Sequence, residues 1–208
     1  MKGSLIVVGF FALGCLMGWS GRMPDWLMDS DLSSYVLYLL MFLVGLSIGA
    51  DKKLKDILRN IRPKLLLVPL ATISGSLIFA ALISLVISKW GLFDCLAVGS
   101  GFGYYSLSSI LITQLKEPSL GMQLTSELGT IALISNILRE IFALLGAPFF
   151  LKYFGKLAPI CAGGATTMDT TLPIITKVCG NDLVFVSILH GILVDFSVPI
   201  LVSFFCQL

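Results

Sequence analysis

Residues 163–176, Gly-Gly-Ala-Thr-Thr-Met-Asp-Thr-Thr-Leu-Pro-Ile-Ile-Thr, interrupt apolar sequence with a carboxylate, five hydroxyls, paired glycines and a proline. An Asp at the centre of a membrane helix costs about 2.5–3.5 kcal/mol. Gly-Gly and Pro also loosen the hydrogen bonds that a lipid-facing backbone must keep. Such a segment is tolerated only where it is buried in protein or lines a wet cavity, as a transporter's substrate site does. The membrane setting follows from composition. Of all residues 57% are hydrophobic and 12% charged, where soluble chains carry about 25% charged residues.

A net charge of +2, with no basic run interleaved with aromatics, excludes nucleic acid as a partner. The five cysteines (Cys15, Cys95, Cys161, Cys179, Cys206) are scattered and never form a C-x-x-C pair. They read as free thiols, without a disulfide framework, metal site or cofactor. No A-x-A-like cleavage site follows Met1-Lys2 and its apolar run, so the N-terminus reads as a retained helix.

Apolar runs over 3–19, 32–50 and 65–89 are long enough to span, and 123–151 and 182–208 form two further long helices. The loop 51–64 carries Lys52, Lys53, Lys55, Arg59, Arg62 and Lys64, which marks it as cytoplasmic. Trp19, Trp26 and Trp90 then fall at the outer interface. Two odd segments, 92–115 and 157–178, are broken by Gly99-Ser100-Gly101-Phe102-Gly103 and by the 163–176 motif. Full crossings place Lys152 and Lys156 outside. Re-entrant hairpins keep Lys152, Lys156 and Lys177 inside with the basic loop. The expected fold is therefore an all-α polytopic membrane protein of about five transmembrane helices and two re-entrant hairpins, N-terminus in and C-terminus out. Residues 1–89 form a three-helix scaffold region. Residues 91–208 form a transport core of two broken-helix-plus-helix units, 91–151 and 157–208, similar in their hydroxyl-then-aliphatic order and arranged as an inverted repeat.

Asn136 and Glu140 share one helix face, and an intramembrane Glu near mid-helix is a functional candidate able to trade a proton for a cation. Arg139 has Asp169 as one candidate partner. Asp169, among Thr167, Thr170 and Thr171, sits where a half-helix is expected to begin, as an N-cap, a substrate ligand, or both. His190, the only histidine, reads as a packing group or a proton relay, with Asp195 further along the same helix. Glu127 reads as a gate or surface group. Tyr104 could stack on a substrate or anchor a helix, and Ser106 and Ser108, which follow it, are further substrate-binding candidates. An intramembrane hydrolase built on Asp169 and Asp195 finds no motif in support, neither H-E-x-x-H nor G-x-S-x-G, so the chain does not read as an enzyme.

Ser100-Gly101-Phe102-Gly103-Tyr104-Tyr105-Ser106-Leu107-Ser108, Leu138-Arg139-Glu140-Ile141, residues 163–173 and Leu189-His190-Gly191 together resemble the LysO-type lysine exporter family of bacteria. The resemblance runs over essentially the whole chain. It implies export of L-lysine and toxic lysine analogues across the inner membrane. Glu140 matches an intramembrane acidic residue on which transport in that family depends. The family also implies eight spanning helices, five here plus three elsewhere. Single-chain relatives carry an additional N-terminal three-helix segment with a second intramembrane acid. This chain resembles split versions, in which a small three-helix subunit supplies that part; a homo-oligomer is the other arrangement. The expected function is proton-coupled antiport of lysine, with Glu140 and Asp169 on the ammonium group and half-helix N-termini at 101–106 and 163–167 on the carboxylate. A Na⁺/H⁺ or organic-anion transporter of similar architecture and a non-transporting membrane subunit are the alternatives.

Overall fold

The computed structural model describes residues 13, 14, 16–20, 35, 39, 42, 46 and 63–208. The chain divides into two compact units, Met1–Leu46 and Ser47–Leu208. In the first, the described residues 13, 14, 16–19, 35, 39, 42 and 46 are helical. The spans expected over 3–19 and 32–50 and the basic loop 51–64 lie almost wholly outside the described residues.

Every regular element in the described part of the second unit is a helix. A 3-10 turn, Pro63–Leu66, leads into α1 (Leu67–Ser84). Then come α2 (Leu92–Gly99), α3 (Tyr105–Leu120) and α4 (Met122–Phe154). The chain continues through α5 (Ala158–Gly163), a 3-10 turn Gly164–Met168, α6 (Leu172–Cys179) and α7 (Val184–Cys206). Among the described residues three helices, Lys64–Ser84, Met122–Phe154 and Asn181–Cys206, are long and apolar enough to cross a membrane. The 33 residues of α4 measure about 50 Å. Both expected breaks occur, each between two short helices and ahead of a long one.

The first broken helix folds back on itself. Asp94, in the first turn of α2, pairs with Lys116 of α3 at 3.0 Å. Drawn out as one straight helix, the two residues stand about 33 Å apart, far beyond the reach of an ion pair. The second broken helix also turns back. Ile160 at the start of α5 and Cys179 at the end of α6 share one apolar cluster with Val68 and Val186, at the beginnings of α1 and α7, and Leu151 near the end of α4.

The two hairpins enter from opposite ends of the long helices. Beside the base of the first, Lys89 pairs with Glu127 near the start of α4, and the Cys206 thiol at the end of α7 lies within electrostatic reach of Asp94 and Lys116. Trp90, expected at the outer interface, is buried within the protein, with the Lys89 ammonium 5.2 Å from its ring centre. The tips of the hairpins meet between these two ends.

Candidate functional site

The meeting of the tips is a backbone contact. Phe102 O accepts a hydrogen bond from Ala165 N–H at 2.9 Å, joining the first break to the second. To aim that carbonyl, Phe102 takes a φ of +45°, a conformation in which a bulky side chain is an outlier. Gly164 answers it with a φ of +63° and ψ of −131°, and a Cβ there would overlap the Phe102 carbonyl. Only glycine fits this approach.

The polar residues of α4 hold both tips. Asn136 accepts from Gly103 N–H at 2.7 Å and donates to Ala132 O at 2.8 Å and Ser108 Oγ at 3.4 Å. Its amide is thus spent on the first break. Ser108 in turn donates to Tyr104 O at 2.8 Å, closing the first turn of α3. Arg139 donates from Nε to Ala162 O at 3.1 Å, from one terminal nitrogen to Cys161 O at 3.1 Å and from the other to Ser76 Oγ at 3.0 Å. The guanidinium also sits 5.9 Å from the Phe102 ring centre. Asp169, the candidate partner of Arg139 in the sequence, is therefore not its partner. The charge caps the carbonyl end of α5, where the helix dipole is negative and the last carbonyls lack donors.

His190 on α7 is fully buried. Its Nδ1 meets Thr167 Oγ1 at 3.0 Å and its Nε2 meets Thr72 Oγ1 at 2.9 Å. Thr167 directs its own hydroxyl proton to Gly164 O or Ser187 O. Thr72 likewise has a main-chain acceptor, Val68 O at 3.1 Å, so the two threonines accommodate the ring proton on either nitrogen. Neither Thr72 nor Ser76 stood out in the sequence, because a hydroxyl in a membrane helix is ordinary.

The start of the second inner half-helix lies later than expected. Gly163–Thr167 are the end of α5 and a 3-10 turn, not a helix N-terminus. The helix begins at Leu172 with Thr171 before it and Pro173 in its first turn. Asp169 stands ahead of this cap in an exposed bend, its carboxylate accepting the N–H of Thr170. Thr170 lies half-buried beside it, with its hydroxyl close to the same carboxylate. Ser106 is half-buried in the first turn of α3.

What the tips enclose is acidic. Asp169 lies within electrostatic reach of Glu140 and of Asp195, and both Asp169 and Asp195 lie within reach of the Tyr104 phenol. Glu140 is 1% exposed and Asp195 4%. The structure thus brings together Tyr104, Glu140 and Asp169 from the sequence candidates and adds Asp195. Asn136, Arg139, Ser108, Thr167 and His190 form the frame around them. Among the described residues, no three His, Cys, Asp or Glu side chains stand close enough to share a metal ion. A separate cavity of about 750 Å³ opens between α1, α2, α4 and α5; it is largely apolar, with Thr72, Ser76, Asn136 and Arg139 as its polar wall.

Comparison with known proteins gives one family. Residues 8–206 match the family described as "Lysine exporter LysO". The chain is 34% identical over 206 residues to "Lysine exporter LysO" of Escherichia coli (strain K12), covering 97% of this chain and 64% of that protein. It is 34% identical over 197 residues to the "Putative lysine exporter" of Haemophilus influenzae, covering 93% of each. The chain therefore spans about 64% of the length of the first relative. No solved structure matches.

Proposed function

Since this chain belongs to the lysine exporter LysO family, we propose that it exports L-lysine and toxic lysine analogues across the bacterial inner membrane in exchange for protons. The observation that carries this reading is the acidic cluster of Glu140, Asp169 and Asp195 where the two hairpin tips meet. A cationic side chain is the natural guest of such a site. The lysine ammonium group lies against Glu140 and Asp169. Its carboxylate meets the first turns of α3 and α6, where the helix dipoles are positive. Protonation of Glu140 from the outside removes a negative charge from the site, so the cation leaves, and the proton gradient drives export.

The membrane arrangement belongs to the same proposal. Five spanning helices and two re-entrant hairpins, with 91–151 and 157–208 as an inverted repeat on a scaffold of 1–89, are supported by hairpins that enter from opposite ends. Lys64, Lys152, Lys156 and Lys177 are all exposed at the end where the second hairpin enters, which favours that end as cytoplasmic. The N-terminus is then cytoplasmic and the C-terminus external. Carriers of this kind work with both halves of a scaffold, so a small three-helix membrane subunit or a second copy of the chain is the proposed partner.

Proteoliposomes loaded with labelled lysine, containing the chain with its partner, test the reading under an imposed pH gradient. Efflux is expected to follow the gradient and to be lost in Glu140→Gln. Efflux by Glu140→Gln at the wild-type rate removes Glu140 from the mechanism.

A further inference from the structure

Packing does not account for the surroundings of Asp195. It is the middle residue of α7 and is 4% exposed, yet among the described residues no hydrogen bond or ion pair reaches its carboxylate. Nearly every other buried polar side chain of the frame is engaged, as Asn136, Arg139, Thr167 and His190 show. A carboxylate so nearly enclosed costs free energy unless water or a cation meets it.

Its direction is fixed by its helix. Gly191 presses α7 onto the second tip so closely that a Cβ there would come within 2.6 Å of Met168 N. Asp195 is one turn further along and on the same face. It therefore projects toward the far side of that tip, where Asp169 and Tyr104 stand within its electrostatic reach. A second acceptor lies on the same turn. Pro199 is inside α7 and has no N–H, so the main-chain carbonyl of Asp195 lacks its usual donor four residues on.

The geometry points to a binding site for a monovalent cation or primary ammonium group, formed by the Asp195 carboxylate and carbonyl, the Asp169 carboxylate and the Tyr104 phenol. All the groups offered are oxygens, which suits a hard cation or an N–H₃⁺ head. Two carboxylates within reach of each other hold a single positive charge in common, and neither has a resident cation of the protein. The described ion pairs, Lys89–Glu127 and Lys116–Asp94, lie elsewhere. The site deepens the exporter reading and rests on it only for the identity of the guest, which is the ammonium end of the substrate or the inorganic ion that drives the cycle.

The experiment is a thermal-shift titration of the purified full chain in detergent, against L-lysine, L-norleucine (the same chain length without the terminal ammonium) and sodium chloride with choline chloride as control. Wild type is expected to be stabilised by lysine or by sodium and not by norleucine or choline. Asp195→Asn weakens that stabilising ligand by roughly 10- to 100-fold, the loss of one charge-assisted contact. Tyr104→Phe, which keeps the ring and the fold, weakens it by roughly tenfold or less, so the site can be read even where Asp195→Asn fails to fold. Stabilisation by sodium alone, lost in both variants, upholds the site and removes lysine as its guest. A wild type that no cation stabilises, or variants that keep the wild-type affinity, overturns the assignment.

Discussion

Arg139→Met separates a capping charge from a substrate-binding one. The guanidinium makes three hydrogen bonds of 3.0–3.1 Å, two of them to the last carbonyls of α5. A hydrogen bond from a charged donor contributes about 1.5–3 kcal/mol net, so three amount to roughly 4.5–9 kcal/mol. Against this stands the cost of keeping a guanidinium away from water, several kcal/mol. The expected loss is therefore about 3–5 kcal/mol, and it falls on the end of α5 that carries the second tip. Arg139→Lys keeps a point charge but not the fork, and is expected to recover about a third of the loss. The assay is alkylation of Cys161, which is half-buried and whose carbonyl Arg139 holds, in a chain with its other cysteines replaced by Ala. Where opening precedes labelling, 3 kcal/mol raises the labelling rate by roughly 100-fold. Unchanged labelling together with an unchanged melting temperature in Arg139→Met would show that α5 ends without the guanidinium, and the capping argument would fail.

Two further substitutions probe the hairpins themselves. Lys116→Met leaves the buried Asp94 carboxylate without its cation and is expected to lower stability by about 3–5 kcal/mol, most of it recovered when Asp94→Asn is added. A thermal-denaturation double-mutant cycle with no coupling between the two positions would contradict the folded-back first hairpin. Gly164→Ala drives a Cβ into the Phe102 carbonyl at a backbone conformation that L-residues avoid, at a cost of at least about 3 kcal/mol. The protein is expected to fail to accumulate in membranes, and a wild-type yield measured by blotting would mean that the tips do not touch.

Both breaks were legible because glycine, proline and charge inside apolar sequence have few structural uses. Their internal geometry was less so. Pro173 is the signal that α6 starts just ahead of it, since proline is at home in a first helical turn; the carboxylate of Asp169 drew the expected start three residues too early. Arg139 announced itself as an intramembrane charge, but charge alone does not say whether the partner is a carboxylate or the end of a helix. The strained φ of Phe102 left no trace in the sequence, because a phenylalanine between glycines looks like any apolar residue. Asp195 was visible as a mid-span acid. Pro199, four residues on, was the sign that its turn offers more than a side chain.

The polar residues of the long helices divide by what they face. Asn136, Arg139 and His190 face main-chain or hydroxyl groups of the tips and are fully engaged with them. Glu140 and Asp195 both lie within electrostatic reach of Asp169. On α4 the two kinds are only one residue apart, at Arg139 and Glu140, so a single helical turn both secures the second tip and presents a carboxylate to the space beside it. Like charges within reach of one another repel, and neutralising one of them relieves the repulsion. A guest cation or a proton can each do this, and each makes the other's binding less favourable. That competition is what an exchanger needs. In the exchange proposed above, it would rest on a frame that engages the tip backbone and leaves the carboxylates to the guest.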